Sequence, residues 1–331
     1  MAPRLFFVVP CYNEQEVLPE TARRLEEKLL SLSQKGVVAA SSRILFVDDG
    51  SGDDTRALIR GLHEKNPVFQ GLFLSRNRGH QNALLAGLLT IRHLADCAIS
   101  MDADLQDEVD AADEMLSRFA AGKDIVYGVR SSRAKDTAFK RGTAGGFYGL
   151  MKAMGVETVV HHADYRLLSR RALTALSEFG EKNLFLRGLV PMLGFQTDVV
   201  YYERAARFAG KSKYPFRKML QFAMEGITSL SVEPIRMITR LGFLIFLASI
   251  AILIYSLQRY FTGNTIPGWT TTVLSVWAIG GLIMISLGVI GEYIGRIYLE
   301  TKNRPRYIVE EYLKDEDDEA DLNDPAVSVH L

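Results

Sequence analysis

Asp102 and Asp104 lie two positions apart, where the apolar run "CAISM" ends and a loop begins. Two carboxylates at i and i+2 can both face a hard divalent cation, Mg²⁺ or Mn²⁺. Such an ion takes few protein ligands and fills its shell with phosphate oxygens and water. Gln106, two residues further on, is placed to join them. The chain has no G-x-x-x-x-G-K-[ST] and no G-x-G-x-x-G after a strand, so it lacks a glycine-rich phosphate cradle. A nucleoside diphosphate held without one needs a metal to neutralise it. Spacing alone leaves a second reading open, because short acidic pairs also cap helices and close turns.

The elements that must position this pair follow from the hydrophobic pattern. "RLFFVV" (4–9), "RILFVD" (43–48), "FQGLFL" (69–74), "CAISMD" (97–102) and "DIVYGV" (124–129) read as five short, nearly all-apolar strands. Helical periodicity fills the gaps at about 14–32, from 53 onward, at 81–93 and at 109–120. Strands of this kind, separated by helices, are covered on both faces and run parallel. The expected fold class is therefore α/β, a doubly wound and mostly parallel sheet. Ligands of such sheets bind beyond the carboxyl ends of the strands. Tyr12-Asn13-Glu14, Asp48-Asp49-Gly50-Ser51, Arg76-Asn77-Arg78-Gly79 and Asp102-Ala103-Asp104 all stand there. One acidic strand end is an ordinary turn; four polar clusters on one rim point to a ligand.

Composition bounds the rest. The chain has 331 residues, 48% hydrophobic and 24% charged, which excludes a disordered or fibrous protein. Formal charge is zero, yet nine acids and one Lys stand between Glu310 and the C-terminus, leaving a basic body suited to an anionic partner. Two cysteines, Cys11 and Cys97, make neither a disulfide framework nor a zinc site, which fits a reducing compartment. The opening "MAPRLFFVVPCYNE" turns polar too soon for a signal peptide.

Leu241–Leu257 and Trp269–Gly291 carry no charge until Arg259 and Glu292, so two transmembrane helices are expected, at about 241–258 and 269–291. Arg217, Lys218, Arg236 and Arg240 precede the first and Arg296, Lys302, Arg304 and Arg306 follow the second, whereas the loop between has only Arg259. Both long segments should therefore face the cytoplasm. Residues 211–240, basic at both ends with an apolar middle, read as interfacial amphipathic helices. The expected organisation is a catalytic domain (1–210), the interfacial segment, the spans (241–291), and a cytoplasmic segment (292–331) whose acidic tail is disordered.

The ordered set "VVPCYNE" (8–14), "VDDGSGDDT" (47–55), "LSRNRGHQNALLAG" (74–87) and "MDADLQD" (101–107) resembles the motifs of family-2 glycosyltransferases of the GT-A fold. "YGVR" (127–130), "HADYRLLSR" (162–170), "FLRGL" (185–189) and "RFAGKSKY" (207–214) resemble the polyprenyl-phosphate branch of dolichol-phosphate mannose synthases and bactoprenol glucosyltransferases. "LGVIGEYIGRIYLETKNRPRY" (287–307) is similar to the two-span bactoprenol members. The resemblance implies that Pro10, Tyr12, Asn13, Glu14, Asp48, Asp49, Asp102 and Ala103 contact the nucleotide sugar. It gives Asp102, Asp104 and Gln106 the metal and Asp164 the place near the acceptor. Arg130, Arg141, Arg207, Ser212 and Lys213 would surround the acceptor phosphate and leaving diphosphate.

The reaction so implied is inverting transfer of a hexosyl group, glucose from UDP-glucose first, to polyprenyl phosphate at the cytoplasmic membrane. Other sugars, N-acetylglucosamine, galactose, mannose or an aminoarabinose derivative, are alternatives. The resemblance also suggests a homotetramer, with a flippase and a downstream glycosyltransferase as further partners; no nucleic acid is expected. A processive polysaccharide synthase shares the front half, but its Q-x-x-R-W motif is absent. A catalytically silent scaffold is disfavoured by the intact Asp102, Asp104 and Asp164.

Overall fold

A computed structural model describes residues 2–131, 162–181, 185–203, 233–262 and 268–314. Strands β1 (Leu5–Cys11), β2 (Arg43–Asp48), β3 (Phe69–Leu74) and β4 (Cys97–Ser100) alternate with helices α1 (Leu18–Gln34), α2 (Thr55–Lys65) and α3 (His80–Thr90). Helix α4 (Ala111–Ala120), β5 (Ile125–Arg130), β6 (His162–Ser169), α5 (Arg170–Ser177), α6 (Leu186–Met192) and β7 (Thr197–Tyr202) follow. The described chain ends with α7 (Glu233–Phe261), α8 (Trp269–Thr301) and β8 (Val309–Leu313).

The strands form one sheet in the order β7-β5-β6-β4-β1-β2-β3-β8. Strands β1 to β4 pair in parallel, as their continuous apolar runs predict. Strand β6 enters antiparallel between β4 and β5, and β8 is antiparallel to β3, so the sheet is mixed. Successive residues of β1 feed opposite cores: Leu5, Phe7 and Val9 pack with Leu18, Leu25 and Leu29 of α1, while Phe6 and Val8 pack with Leu84, Leu85 and Leu88 of α3. Helix α3 lies close to the sheet at Gly87, where a Cβ would stand 2.6 Å from Val8 Cγ1 and 2.7 Å from Val47 Cγ2. Cys11 and Cys97 are buried free thiols in β1 and β4.

The described chain divides into two compact units, the second containing α7 and α8. Within it α7 and α8 pack together, and large apolar side chains such as Phe243, Leu244, Ile254, Ile283 and Met284 are exposed. Among the described residues, Ala278–Thr301 is a stretch long and apolar enough to cross a membrane. Helix α7 is continuous from Glu233, so residues 233–240 belong to the same helix as the apolar stretch after them; residues 211–232 lie outside the described residues. The first unit includes β8, so Glu311, at the start of the tail expected to be disordered beyond Glu310, stands with Glu310 in a sheet strand.

Candidate active site

The loops after β1 and β2 are stitched together. Asn13, in the left-handed region at φ 55°, donates its N–H to Ser51 Oγ at 3.0 Å and accepts from Gly52 N at 2.8 Å. Glu14 N reaches Thr55 Oγ1 at 2.9 Å, and Asp54 N reaches Gln15 Oε1 at 3.1 Å. This leaves the Tyr12 ring 48% exposed at the rim, whereas Pro10 is buried within β1. Gly50, at φ 67°, brings the β2 loop so near the β3 loop that a Cβ would lie 2.6 Å from the Arg76 carbonyl carbon.

Asp48 and Asp49 are both buried and hydrogen-bonded within the rim loops. Asp48 is fully buried; Oδ1 accepts from Ser51 N at 3.2 Å and Oδ2 from Arg56 Nε at 3.1 Å. Asp49 is 2% exposed and accepts from Arg78 N and Gly79 N at 2.7 and 2.8 Å, which fixes the turn into α3. Burial raises its carboxyl pKa, against the pull of those two amides. Both acids shape the loops that the exposed Tyr12 and Asn13 present.

The β4 loop carries the acidic pair. Ala103 is buried and its carbonyl accepts from Thr21 Oγ1 at 2.8 Å, pinning the loop to α1. Leu105, buried and at φ 55°, turns the chain so that Gln106 N reaches Asp104 Oδ1 at 3.2 Å. A left-handed leucine is strained, a conformation kept where the surroundings over-determine it. Asp107, at the loop's end, is 3% exposed and accepts from Tyr202 Oη. The guanidinium of Arg130 lies 3.6 Å from Asp107 and 3.4 Å from Tyr202 Oη, so this residue holds a cation of the expected acceptor set.

Asp164 arrives from β6. Ser100, the last residue of β4, pairs with Arg166, and its Oγ donates to the Asp164 carbonyl at 2.6 Å, which keeps Asp164 at the end of β4 where the Asp102 loop begins. His80, the first residue of α3, places Nε2 3.5 Å from Asp102 Oδ1 and 3.5 Å from Asp164 Oδ2. Arg166, 1% exposed, donates from Nη2 to Asp164 Oδ1 at 2.6 Å, and Arg187 of α6 donates from Nη2 to Oδ2 at 3.1 Å.

The two acids therefore titrate in opposite directions. Burial works against ionised Asp164, but His80, Arg187 and Arg166 overcome it and hold its pKa well below the usual carboxylate range. Asp102 is pushed up to about 6 by burial and by Asp107, Asp164 and Asp104, against the pull of His80. Burial lowers the pKa of His80, yet Asp164 and Asp102 raise it overall, which favours the imidazolium.

Excess negative charge at Asp102, with Asp104 beside it, is relieved by a divalent cation, and an all-oxygen set suits Mg²⁺ or Mn²⁺. Among the described residues, no three His, Cys, Asp or Glu side chains gather into a metal cage. A pair of carboxylates instead fits an ion that completes its shell with substrate oxygens and water.

Sequence reading missed three of these groups. His80 and Arg187 lie in quoted motifs, but a lone cation in a motif carries no spacing signal. Asp107 looks like a third loop acid until its burial is seen. Arg141, Arg207, Ser212 and Lys213 lie outside the described residues.

Residues 6–176 match the model of glycosyl transferase family 2. The chain belongs to that family. It is 49% identical over 308 residues to the uncharacterized glycosyltransferase YkoT of Bacillus subtilis (strain 168), covering 93% of this chain and 91% of the relative. It is 37% identical to the bactoprenol glucosyl transferase of Shigella phage SfX, covering 92% of this chain and 98% of the relative. Identity to the prophage bactoprenol glucosyl transferase homolog of Escherichia coli (strain K12) is 36%, over 94% of this chain and 100% of the relative. Among solved structures, mannosyl-3-phosphoglycerate synthase from Rubrobacter xylanophilus aligns with a TM-score of 0.47 and 15% identity over 72% of this chain and 75% of that one, too distant to add to the assignment.

Proposed function

We propose that this family-2 glycosyltransferase moves a hexosyl group, glucose first among candidates, from a nucleoside diphosphate sugar to a polyprenyl phosphate, with inversion. The observation that carries the reading is the clamp on Asp164. A hydroxyl acceptor needs a base poised near neutral pH, and a carboxylate gripped by Arg166, Arg187 and His80 is a poor one. A phosphate monoester has its second pKa near ~6 and reaches the site already ionised. The relatives named as bactoprenol glucosyl transferases support the same acceptor class.

Each residue then has a task. Tyr12 and Asn13 receive the nucleoside, on loops braced by Asp48 and Asp49. Asp102 and Asp104, with Gln106, hold Mg²⁺ or Mn²⁺, which when bound offsets charge on the departing diphosphate. Asp164 orients the acceptor and faces positive charge developing on the sugar. Arg130, held by Asp107 and Tyr202, meets phosphate oxygens, joined by Arg141, Arg207, Ser212 and Lys213.

Helices α7 and α8 both cross the bilayer, with both long segments on the cytoplasmic side, so the acceptor's phosphate is presented at headgroup level on the side that carries the catalytic domain. A homo-oligomer and coupling to a flippase belong to the same proposal. The test uses purified protein in nanodiscs containing undecaprenyl phosphate, with Mg²⁺ or Mn²⁺ and a panel of radiolabelled sugar nucleotides. Lipid-extractable label from UDP-glucose is expected. Label from a different donor would reassign the sugar, and label appearing only in polymer would replace the acceptor.

A further inference from the structure

The strand that follows α8 does more than cover the edge of the sheet. Strand β8 pairs antiparallel with β3, bringing Glu310 to the loops of the nucleotide side. There a cavity of about 740 Å³ is lined by Ser51, Asp53, Arg56, Arg76, Asn77 and Glu310, among others. Glu310 Oε2 accepts from Arg56 Nη1 at 3.0 Å. The same guanidinium gives Nε to Asp48 Oδ2 at 3.1 Å and Nη2 to the Leu74 carbonyl at 3.1 Å, and lies over the Phe73 ring. Asp48 in turn receives Ser51 N at 3.2 Å, and Ser51 Oγ receives Asn13 N at 3.0 Å. An unbroken series of bonds thus runs from the C-terminal strand to the exposed Tyr12-Asn13 loop.

We propose that Glu310 is a positioning residue for the donor nucleotide, acting through Arg56 and Asp48 on the Ser51 and Asn13 loops. The segment after the long helices is then part of the donor site. This rests on the nucleotide-sugar reading above. Glu311 supplies an internal control. It neighbours Glu310 on the strand, but its side-chain hydrogen bonds go to Arg60 of α2, and it acts on Arg56 through space only. A strand that merely fastens the sheet edge would depend on both acids alike. A strand that tunes the donor site depends on Glu310.

The experiment compares the full-length protein with Glu310→Gln and Glu311→Gln in detergent, by UDP calorimetry with Mg²⁺, donor kinetics and thermal unfolding. Glu310→Gln should weaken UDP binding and raise the donor KM about three- to five-fold at nearly unchanged kcat, the scale of one exposed pair. Glu311→Gln should leave both within about two-fold. Equal effects of the two variants, or none from Glu310→Gln, overturn the proposal while leaving the donor reading intact. A wild-type protein that binds no nucleoside diphosphate overturns both.

Discussion

Asp102, in the loop after β4, and Asp164, in β6, share His80, yet their surroundings are opposite in sign. Around Asp164 stand two guanidiniums and an imidazole, and the carboxylate stays ionised well below neutral pH. Asp102 feels the like charge of Asp107, Asp164 and Asp104 against the cations His80 and Arg130, and burial with those acids raises its pKa to about 6. One acid is already provided with cations by the fold. The other is left short of positive charge at the place where a metal and a diphosphate would meet. The contrast teaches that "two acids in an active site" is an incomplete description, since neighbours decide which binds a cation and which orients a substrate.

The largest effect separating the two sides is expected from the metal pair. Asp104→Ala should reduce transfer by about 10³-fold or more, since the departing diphosphate loses its electrostatic partner. Asp164→Asn should cost less, leaving measurable turnover and the same pH profile. A steep new acid limb in the wild-type profile, absent from the variant, would restore Asp164 as a base. Asp164→Asn and Asp164→Ala both remove the countercharge of the buried Arg166, and Ala also removes the oxygen that accepts its hydrogen bond, so Ala is the less stable of the two. Breaking a buried pair from one side costs about 3–5 kcal/mol, visible as a lowered denaturant midpoint.

The pH dependence has a definite sign. Asp102 holds its proton more tightly folded than unfolded, so without metal its contribution to stability falls as pH rises from the ordinary aspartate range through about 6. Mg²⁺ or Mn²⁺ should therefore raise Tm by several degrees at pH 7.5 and much less at pH 5, as ligand linkage requires. Asp102→Asn should raise the metal-free Tm at pH 7.5 while removing the metal response. Equal metal shifts at both pH values would remove the contrast on which this reading stands.

How far all this is legible in the sequence depends on the strand. The parallel half, β1 to β4, announces itself because each strand is a nearly all-apolar run, and its rim clusters follow from topology. Strand β6 is concealed because Asp164 and Arg166 interrupt its apolar pattern for the sake of the site. Strand β8 is concealed because Glu310 and Glu311 read as solvated tail until Arg56 and Arg60 are seen beneath them. The Asp102–Asp164 encounter and the insertion of His80 depend on register, which no local spacing reports. The internal commitment of Asp48 and Asp49 likewise emerges only from their burial.

The smallest predicted effect tests the platform that carries His80. Gly87→Ala would press a methyl group against Val8 and Val47. Overpacking of this kind costs about 1–3 kcal/mol, and a shift of α3 should lower kcat along with Tm. Unchanged kcat despite a lowered Tm would detach His80 from the catalytic alignment.

The most direct test measures lipid-extractable glucose in nanodiscs holding undecaprenyl phosphate, wild type beside Asp104→Ala, with Mn²⁺ and with chelator. Glucosyl phospholipid formed by the wild type with Mn²⁺, and absent from the variant and from the chelated sample, is the expected outcome. Undiminished product from Asp104→Ala under chelation would contradict the account.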